Sequence, residues 1–586
     1  MTHETGGAEA YRPAWHAVAP AGHWMNDPNG LWRDADGLWH LWFQYRDDPP
    51  AYSRTHWGRL VSRDGLAWRC AGIDFAADAD SDVYSGCVVA VDAHLLRAYL
   101  TRHSHGRGSA AGMLQPTVQQ TVEIWQRDGR DSHDSGQAAW QATPPASRVD
   151  PGLRDFRDPF VFRYASGWRM LVAEPCPWDA AVPGPARSCL QVWRSVDGLQ
   201  WERAGSIGPW DPARVMWEVP QLMPLSALQT PASAAEPQDG DLWVLLVSVL
   251  DRRAGCDGTP GHGGSIGCSV RWHLGTFDGA SFQPLAEGAS LALHAPSPLP
   301  AAAPADAVPC TLSGRLLDHG PDFYAACLQT TDPTMPTEPA LVAWMSSWAY
   351  ARRLPLPGFA GGPMTLPRRL TWVGDASGNG NGNGNGLRQQ PIEALEQAHC
   401  SASLVTPMQT LGSAPCTVAR SLMSLDLEIS LHMAPGSQVW LRLADPGLLR
   451  TDGSTAVGSL ALHLDAAAQR ITLHRGPFAS PESSPKSSTH PSADFSIAPS
   501  PPPNPPPNPQ ALGFAGVWPA MWTLQTHGEV AVRLLLDGCC AEIYVDAGAV
   551  VFSALVFLPA AAVCTLHAGP SGHVQLLAAH AWPVKV

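Results

Sequence analysis

Short runs of β-forming residues, each bounded by turn residues, fill roughly the first 370 residues of this 586-residue chain. The motif Ser-x-Asp-Gly-Leu-x-Trp follows an apolar run at Ser62–Trp68 and again at Ser195–Trp201. Regularly spaced short strands predict an all-β fold, and a recurring strand-turn-strand unit favours radially repeated blades. The runs are Leu38–Tyr45, Val83–Val91, Phe160–Phe162, Arg169–Ala173, Leu190–Arg194, Leu242–Leu250 and Ala340–Met345.

A tract of alternating glycine and asparagine, Gly378–Gly386, interrupts this strand pattern. Such a segment has no side chain suited to burial, so we predict a linker over residues 374–390. The linker separates a first domain, residues 1–373, from a second domain, residues 391–586. Period-two alternation in the second domain favours a β-sandwich, and the Pro- and Ser-rich residues 477–509 predict an exposed loop inserted between two of its strands.

The composition bears on partners and location. With 52 acidic and 38 basic residues the net charge is −14, and no Lys/Arg run could follow a phosphate backbone, so we expect no nucleic-acid partner. The 13 cysteines contain no CxxC pair, which favours free thiols in a reducing compartment. No apolar run resembles a signal peptide or a membrane span, so we expect a cytoplasmic protein without membrane contact; a secreted form whose leader was removed stays an alternative.

Two Asp-Pro segments are the first candidates for chemistry. Asp27 lies in Trp24–Gly30 between an asparagine and a proline, which places its carboxylate on a tight turn. Asp158 follows Arg157 in Asp155–Pro159, and an adjacent arginine favours the ionised carboxylate. Taken singly, the two segments also fit an ordinary turn and an exposed ion pair.

Glu218 is the third candidate, flanked by Trp217, Val219 and Pro220. A carboxyl group in an apolar setting is kept more easily in the acid form that a general acid needs, although the segment alone also fits a surface glutamate. Three carboxylates together suit glycoside hydrolysis with retention, which needs a nucleophile and an acid/base roughly 5–5.5 Å apart. The blades of a propeller can bring such distant positions to one funnel.

With these motifs in order along the chain, the sequence resembles glycoside hydrolase family 32, the invertases, levanases and exo-inulinases. The Trp24–Gly30 segment is similar to the nucleophile motif of that family, Phe156–Pro159 to its Arg-Asp-Pro motif and Trp217–Pro220 to its Glu-Cys-Pro motif. The resemblance covers nearly the whole chain. Further matching segments are Arg12-Pro13, His16, Phe43–Tyr45, His56–Gly58, Tyr84–Gly86, Gly275–Gly279, Asp318–Ala325, Trp344–Tyr350 and Leu536–Pro559.

The resemblance implies a five-bladed β-propeller that holds the active site, followed by a β-sandwich. It also implies that Asp27 is the nucleophile, Glu218 the general acid/base and Asp158 a stabiliser of the transition state. An oxocarbenium-like transition state gains from nearby negative charge, which agrees with these roles. By the same resemblance, the side chains that bind the terminal fructose are Asn26, Gln44, Tyr52, Trp57, Tyr84, Ser85 and Arg157.

Four positions depart from the family pattern and bear on substrate preference. Val219 stands where the family usually has cysteine, and Gln221 where aspartate is frequent. Arg59 replaces a histidine, and Tyr52 occupies a place where tryptophan commonly lines the fructose pocket. All three carboxylates are retained.

Several functions remain open at this point. The first is a retaining exo-β-fructosidase acting on sucrose or on the fructans inulin and levan. A fructosyltransferase would use the same covalent intermediate with a sugar as acceptor, and a catalytically silent fructan-binding protein would have no need for three intact acids. A homodimer also remains open.

Metal and serine-hydrolase chemistry find little support in the sequence. His103, His105 and His133 lack the spacing of metal ligands, and no Gly-x-Ser-x-Gly elbow is followed by an acid and a histidine. We therefore expect neither a metal nor another cofactor.

Overall fold

The structure is a computed structural model. It describes residues 11–47, 54–92, 95–104, 119–128, 145–176, 185–229, 240–251, 267–285, 312–330, 339–354, 361–374, 386–400, 404–420, 422–446, 458–477, 514–525, 527–570 and 572–585. The secondary structure of these residues is almost entirely β-strand, so the prediction of an all-β fold is confirmed. In these ranges no helix is long and apolar enough to cross a membrane.

The strands are numbered in chain order. The N-terminal strands are β1 (Trp24–Arg33), β2 (Trp39–Arg46), β3 (His56–Ser62), β4 (Arg69–Phe75), β5 (Ser81–Ala90), β6 (Leu95–Ser104), β7 (Gln119–Asp128), β8 (Ser147–Val149), β9 (Arg157–Tyr164), β10 (Gly167–Glu174), β11 (Cys189–Ser195), β12 (Glu202–Ile207), β13 (Val215–Pro224), β14 (Leu242–Asp251), β15 (Cys268–Phe277), β16 (Phe282–Pro284), β17 (Arg315–Leu316), β18 (Tyr324–Thr330), β19 (Ala340–Trp344), β20 (Arg368–Val373) and β21 (Gly386–Pro391).

The remaining elements of the described residues are the C-terminal strands and three short helical segments. The C-terminal strands are β22 (Leu404–Thr406), β23 (Gln409–Thr410), β24 (Cys416–Arg420), β25 (Ser424–Met433), β26 (Gln438–Ala444), β27 (Leu460–Asp465), β28 (Arg470–Arg475), β29 (Gly516–Met521), β30 (Glu529–Asp537), β31 (Cys540–Val545), β32 (Val550–Leu555), β33 (Val563–Ala568) and β34 (Val574–Pro583). The helical segments are α1 (Ser226–Gln229), a 3₁₀ turn (Ala351–Arg353) and α2 (Ala394–Gln397).

Strands β1 to β21 form four sheets built from antiparallel neighbours in chain order. The orders are β21-β20-β19-β18-β1-β2-β3-β4, then β5-β6-β7-β8, then β12-β11-β10-β9, and β13-β14-β15-β16 with β17 beside β15. A parallel pairing of β1 with β18 joins two groups of strands into the eight-stranded sheet. Five strands, β1, β5, β9, β13 and β18, contact one another in that order, and β18 also contacts β1.

The repeated sequence motif forms the same turn twice. In the copy after β3, the Ser62 hydroxyl accepts from the backbone of Gly65 at 2.9 Å, and the Trp68 indole donates to the carbonyl of Gly65 at 3.0 Å. In the copy after β11, the Ser195 hydroxyl accepts from Gly198 at 2.8 Å. Each turn joins the third strand of a group to the fourth, and the glycine has φ near +75° in both, a conformation that L residues with a side chain rarely adopt.

Strands β22 to β34 form two further sheets that share one apolar core. Their orders are β22-β34-β25-β30-β31-β32, with β23 also beside β34, and β24-β33-β26-β27-β28-β29. Alternate residues of both sheets enter this core, as Leu427 and Ile429 do from β25 and Val439 and Leu441 from β26. The period-two alternation of the sequence therefore marks the inward face of each strand.

The opposite face of the β25-β30-β31 sheet meets the N-terminal strands through buried charges. The His16 imidazole lies between the carboxylates of Asp537 and Glu542, at 2.9 and 3.0 Å. Arg368, wholly buried, pairs with Asp318 at 2.8 Å and with Glu542 at 2.7 Å. Buried charges require partners. His16 has both of its partners in the C-terminal sheet, whereas Arg368 has one partner there, Glu542, and one in the N-terminal half, Asp318. We call His16, Asp318, Arg368, Asp537 and Glu542 the junction cluster.

Two predicted segments lie partly outside the described residues. Of the predicted linker, residues 375–385 are outside, and Gly386–Pro391 is strand β21, hydrogen-bonded to β20. Of the predicted loop over 477–509, all but the first residue is outside. The division into two domains stays a prediction.

The junction cluster should make the free energy of unfolding fall at alkaline pH. Burial alone would lower the pKa of His16, but hydrogen bonds and charge from Asp537 and Glu542 raise it to about 9 from an ordinary 6.5. The stabilisation by protonated His16 is therefore complete below pH 6.5 and is lost as the pH rises through 9. Chemical denaturation should show the wild type losing about 3 kcal/mol more than His16→Gln over this interval. A difference between the two proteins that does not change with pH would contradict the charged state of His16.

Candidate active site

Four side chains from three strands form a closed ring of hydrogen bonds around Asp27. Asn26 donates to Asp27 Oδ1 at 3.0 Å and to Gln44 Oε1 at 2.7 Å. Gln44 donates to the Ser85 hydroxyl at 2.6 Å, and Ser85 donates to Asp27 Oδ2 at 2.7 Å. Because all four side chains are buried, the ring holds each carboxylate oxygen of Asp27 in one direction.

The strand that carries Asp27 is irregular at this point. The pairing of β1 with β2 shifts register between Met25 and Pro28 and again between Pro28 and Gly30. Proline has no N–H to give to the ladder, so the strand bulges at Pro28 and turns the preceding side chain away from regular pairing. The buried stretch Asn26–Asn29 therefore carries polar side chains within an irregular part of β1.

The carboxylate of Glu218 lies between a cation and a phenol. Arg157 donates to Glu218 Oε1 at 2.7 Å, and the Tyr324 hydroxyl donates to Oε2 at 2.5 Å. Arg157 also pairs with Asp155 at 2.8 Å. The flanking residues predict an apolar setting for Glu218, but its carboxylate contacts a cation and a phenol. Trp217 points to the other face of β13, where its indole donates to Asp211.

Asp158 has an unusual backbone conformation and a buried carboxylate. Its φ is 60°, and its N–H donates to the Thr101 hydroxyl at 2.9 Å. Its Oδ2 accepts from the backbone N–H of Val219 at 3.1 Å, next to Glu218 in the chain. Val219 itself has φ 45°, a costly conformation for a β-branched residue. Two strained positions are thus linked directly at the site.

The three carboxylates influence one another electrostatically. Burial raises the pKa of Asp158 to about 7; Arg157 opposes this shift, while the charges of Glu218 and Asp27 add to it. Burial also raises the pKa of Asp27, against the hydrogen bonds from Ser85 and Asn26, and Glu218 contributes in the same direction. Buried acids whose pKa values are raised by burial and by neighbouring charges are a common mark of catalytic sites.

The structure brings most of the predicted site residues together. Asn26, Asp27, Gln44 and Ser85 form the ring, and Arg157, Asp158 and Glu218 lie beside one another, as described above. The Tyr84 ring stacks on the His103 ring with 4.5 Å between the ring centroids, and the positive charge of Arg157 acts on the Tyr84 hydroxyl.

Two predicted fructose-binding residues stand apart. Trp57 is 0% exposed, so its ring has no surface to offer a ligand, and its indole donates to the Tyr84 carbonyl at 3.0 Å. Tyr52 lies outside the described residues.

Two residues of the site were not among the predicted ones. Tyr324 lies in the matched segment Asp318–Ala325, but nothing in that segment marks a hydroxyl directed at Glu218. Thr101 lies in an ordinary strand and carries no motif; only the three-dimensional pairing of β5, β6 and β9 reveals it.

No group of three or more His, Cys, Asp or Glu in the described part of the chain is arranged to hold a metal ion. Of the histidines weighed from the sequence, His103 contacts Gln120 and Tyr84, while His105 and His133 lie outside the described residues.

Comparison with known proteins identifies relatives of the chain. A levanase from Bacillus subtilis (strain 168) is 28% identical over 361 residues, 59% of this chain and 43% of the levanase. An extracellular exo-inulinase from Meyerozyma guilliermondii is 28% identical over 405 residues, 66% of this chain and 63% of that protein. The matched region thus spans less than two thirds of either relative.

Solved structures share the fold over nearly the full length. The exo-inulinase of Aspergillus awamori superposes with a TM-score of 0.67 over 98% of both chains at 21% identity. The β-fructofuranosidase of Schwanniomyces occidentalis gives 0.68 over 100% of this chain and 99% of its own at 19% identity. Residues 16–391 match the family model of the glycosyl hydrolases family 32 N-terminal domain, and this region holds every side chain of the site described above. The resemblance seen in the sequence motifs is confirmed, and the chain belongs to glycosyl hydrolase family 32.

Proposed function

We propose that this protein is a retaining glycoside hydrolase that releases terminal β-D-fructofuranosyl units from sucrose or from fructans such as inulin and levan. One observation carries the proposal: two buried carboxylates, from β1 and β9, and the partly buried carboxylate of Glu218 from β13 interact with one another, and each is held by hydrogen bonds from neighbouring strands. The printed names of the relatives, levanase and exo-inulinase, supply the class of substrate.

In the first step Asp27 acts as the nucleophile and Glu218 as the acid. An Asp27 oxygen bonds to the anomeric carbon of the fructosyl unit, the bond from that carbon to the leaving oxygen breaks, and Glu218 gives its proton to that oxygen. The ring of Asn26, Gln44 and Ser85 supports this attack because it fixes the direction of the carboxylate.

In the second step the roles of Glu218 reverse. The ionised Glu218 accepts a proton from a water molecule, the water oxygen bonds to the anomeric carbon, and Asp27 leaves as a carboxylate. The hydrogen bonds from Arg157 and Tyr324 suit the ionised form of Glu218, which is the form present between the two steps.

Asp158 is proposed to stabilise the transition state. It lies in the same buried cluster, and its negative charge would oppose the positive charge that develops on the sugar ring. The groups proposed to bind the fructose are the predicted residues that lie at this site, Asn26, Gln44, Tyr84, Ser85 and Arg157. Trp57 is excluded because it is fully buried.

We also propose that the five groups β1–β4, β5–β8, β9–β12, β13–β16 and β18–β21 are blades of a propeller. The cyclic contacts of their first strands support this arrangement. The shared core of the two C-terminal sheets supports a β-sandwich, and the pairing of β21 with β20 supports a domain boundary after Pro391. A cytoplasmic location and a homodimer stay predictions.

Product analysis tests the activity. Purified protein incubated separately with sucrose, inulin and levan should release fructose, and chromatography should show it as the sole new product from the polymers. Asp27→Asn and Glu218→Gln should each lower kcat at least about 1,000-fold, because one lacks the nucleophile and the other the acid. Glu202→Gln, which alters an exposed ion pair with Arg194, serves as the control and should keep full activity.

The other product patterns distinguish the alternatives. Lengthened oligosaccharides would identify a fructosyltransferase, and no product from any substrate would overturn the proposed hydrolase. Full activity in Asp27→Asn would overturn the assignment of the nucleophile.

Tyr324→Phe tests the support of Glu218. Loss of a hydrogen bond to a charged group is worth about 1.5–3 kcal/mol, so kcat should fall roughly 10- to 100-fold. Tyr99→Phe is the matched control, since its buried hydroxyl donates to the Gly198 carbonyl outside the site, and its kcat should stay at the wild-type value. A kcat of Tyr324→Phe at the wild-type value, like that of Tyr99→Phe, would show that the Tyr324 hydroxyl has no part in catalysis.

Asp158→Asn should separate activity from stability. We expect kcat to fall at least about 100-fold, since the amide has no charge to offer the transition state. Because the folded pKa of about 7 exceeds the ordinary 3.8, the contribution of Asp158 to the free energy of unfolding is complete below pH 3.8 and is lost as the pH rises to about 7. The variant lacks this decline, so its melting temperature should gain on the wild type between pH 4 and pH 7. A variant that is inactive because it unfolds would contradict the assignment.

A further inference from the structure

Thr101 connects the two halves of the site through a single hydroxyl group. It lies in β6, is fully buried, and is the cross-strand neighbour of Tyr84 in β5. Its hydroxyl donates to the carbonyl of Ser85 at 2.8 Å and accepts from the N–H of Asp158 at 2.9 Å. One oxygen atom therefore joins β5 and β9, which belong to different sheets.

The bond to Ser85 replaces one that the sheet cannot make. The register of β5 against β6 shifts between Tyr84 and Gly86, which leaves Ser85 without a paired residue in β6. The next residue must be glycine, because a Cβ on Gly86 would lie 2.0 Å from the Tyr99 carbonyl oxygen. The bulge directs the Ser85 side chain to Asp27, and the Thr101 hydroxyl satisfies the carbonyl that the bulge leaves free.

The bond from Asp158 replaces another missing ladder contact. At φ 60° the N–H of Asp158 does not point along a regular strand, and Thr101 accepts it. With Oδ2 bonded to the Val219 N–H, Asp158 is thus held at both its backbone and its carboxylate. A residue in a strained conformation persists only when its surroundings fix it in this way.

We propose that Thr101 is a positioning residue for catalysis, which orients Asp27 through Ser85 and Asp158 through its backbone. This inference rests on the proposed function, and it adds a residue that touches neither the sugar nor the reacting atoms. A hydroxyl group is the smallest side-chain group that can donate and accept at once, so serine should replace threonine here and valine should not.

Three variants test the proposal in the full-length protein with sucrose and inulin as substrates. Thr101→Val has nearly the same shape without the hydroxyl, and its kcat should fall about 10- to 30-fold while KM changes less than threefold, because alignment is needed most in the transition state. Thr101→Ser should keep kcat within about threefold of the wild type. Thr565→Val is the matched control, since the buried Thr565 hydroxyl has no hydrogen-bond partner among the described residues, and its kcat should not change.

The outcomes are distinct for the two proposals. Wild-type protein that releases no fructose would overturn the proposed function and this inference together. Active wild type with Thr101→Val at the same kcat, or with Thr101→Ser as impaired as Thr101→Val, would overturn the inference alone. If Thr101→Val does not fold, Thr101→Ala takes its place, and a kcat loss restored by serine supports the proposal whereas unchanged kcat overturns it.

Discussion

Three carboxylates, two of them buried and the third partly buried, lie close enough to repel one another, and the N-terminal half of this protein depends on that constraint. Asp27, Asp158 and Glu218 repel one another in a setting from which water is largely removed, and the raised pKa values of both aspartates record the cost. The fold offsets that cost with hydrogen bonds from five strands, β1, β5, β9, β13 and β18, and with the buried cation Arg157. A site that is unfavourable when empty is one that can stabilise positive charge when a sugar reacts.

The backbone geometry of these strands explains why a proline recurs beside each of the three carboxylates. Pro28 and Pro159 directly follow the two aspartates, and Pro220 stands two residues after Glu218. Since proline cannot donate to a ladder, each marks a point where pairing fails and a side chain can leave the sheet pattern. Register shifts occur at Pro28 and between Glu218 and Gln221, and positive φ angles at Asp158 and Val219. The sequence signals for chemistry and for irregular backbone are therefore the same signal.

This coincidence decides what could be predicted from the sequence. The all-β fold could be predicted from strand runs and turn residues, and the family from motifs that resemble it in order along the chain. The catalytic roles of the three carboxylates stay predictions. The partners of Glu218 could not be predicted, because its flanking residues face away from it while Arg157 and Tyr324 arrive from other strands. Nor could Thr101, because a hydroxyl that serves two missing ladder contacts leaves no mark in its own strand. The fully buried Trp57 shows the converse: a residue in a matched motif can contribute packing, here behind the backbone of Tyr84.

The junction cluster also has a consequence for the order in which the protein can be completed. His16 lies eleven positions before the proposed nucleophile Asp27, and its two carboxylate partners, Asp537 and Glu542, lie in β30 and β31, 521 and 526 positions later in the chain. The segment that precedes the strand of Asp27 therefore acquires these partners only after β31 has been synthesised. A chain cut before β30 would leave His16 without both carboxylates, so the C-terminal sheets support the approach to a strand of the other half of the protein.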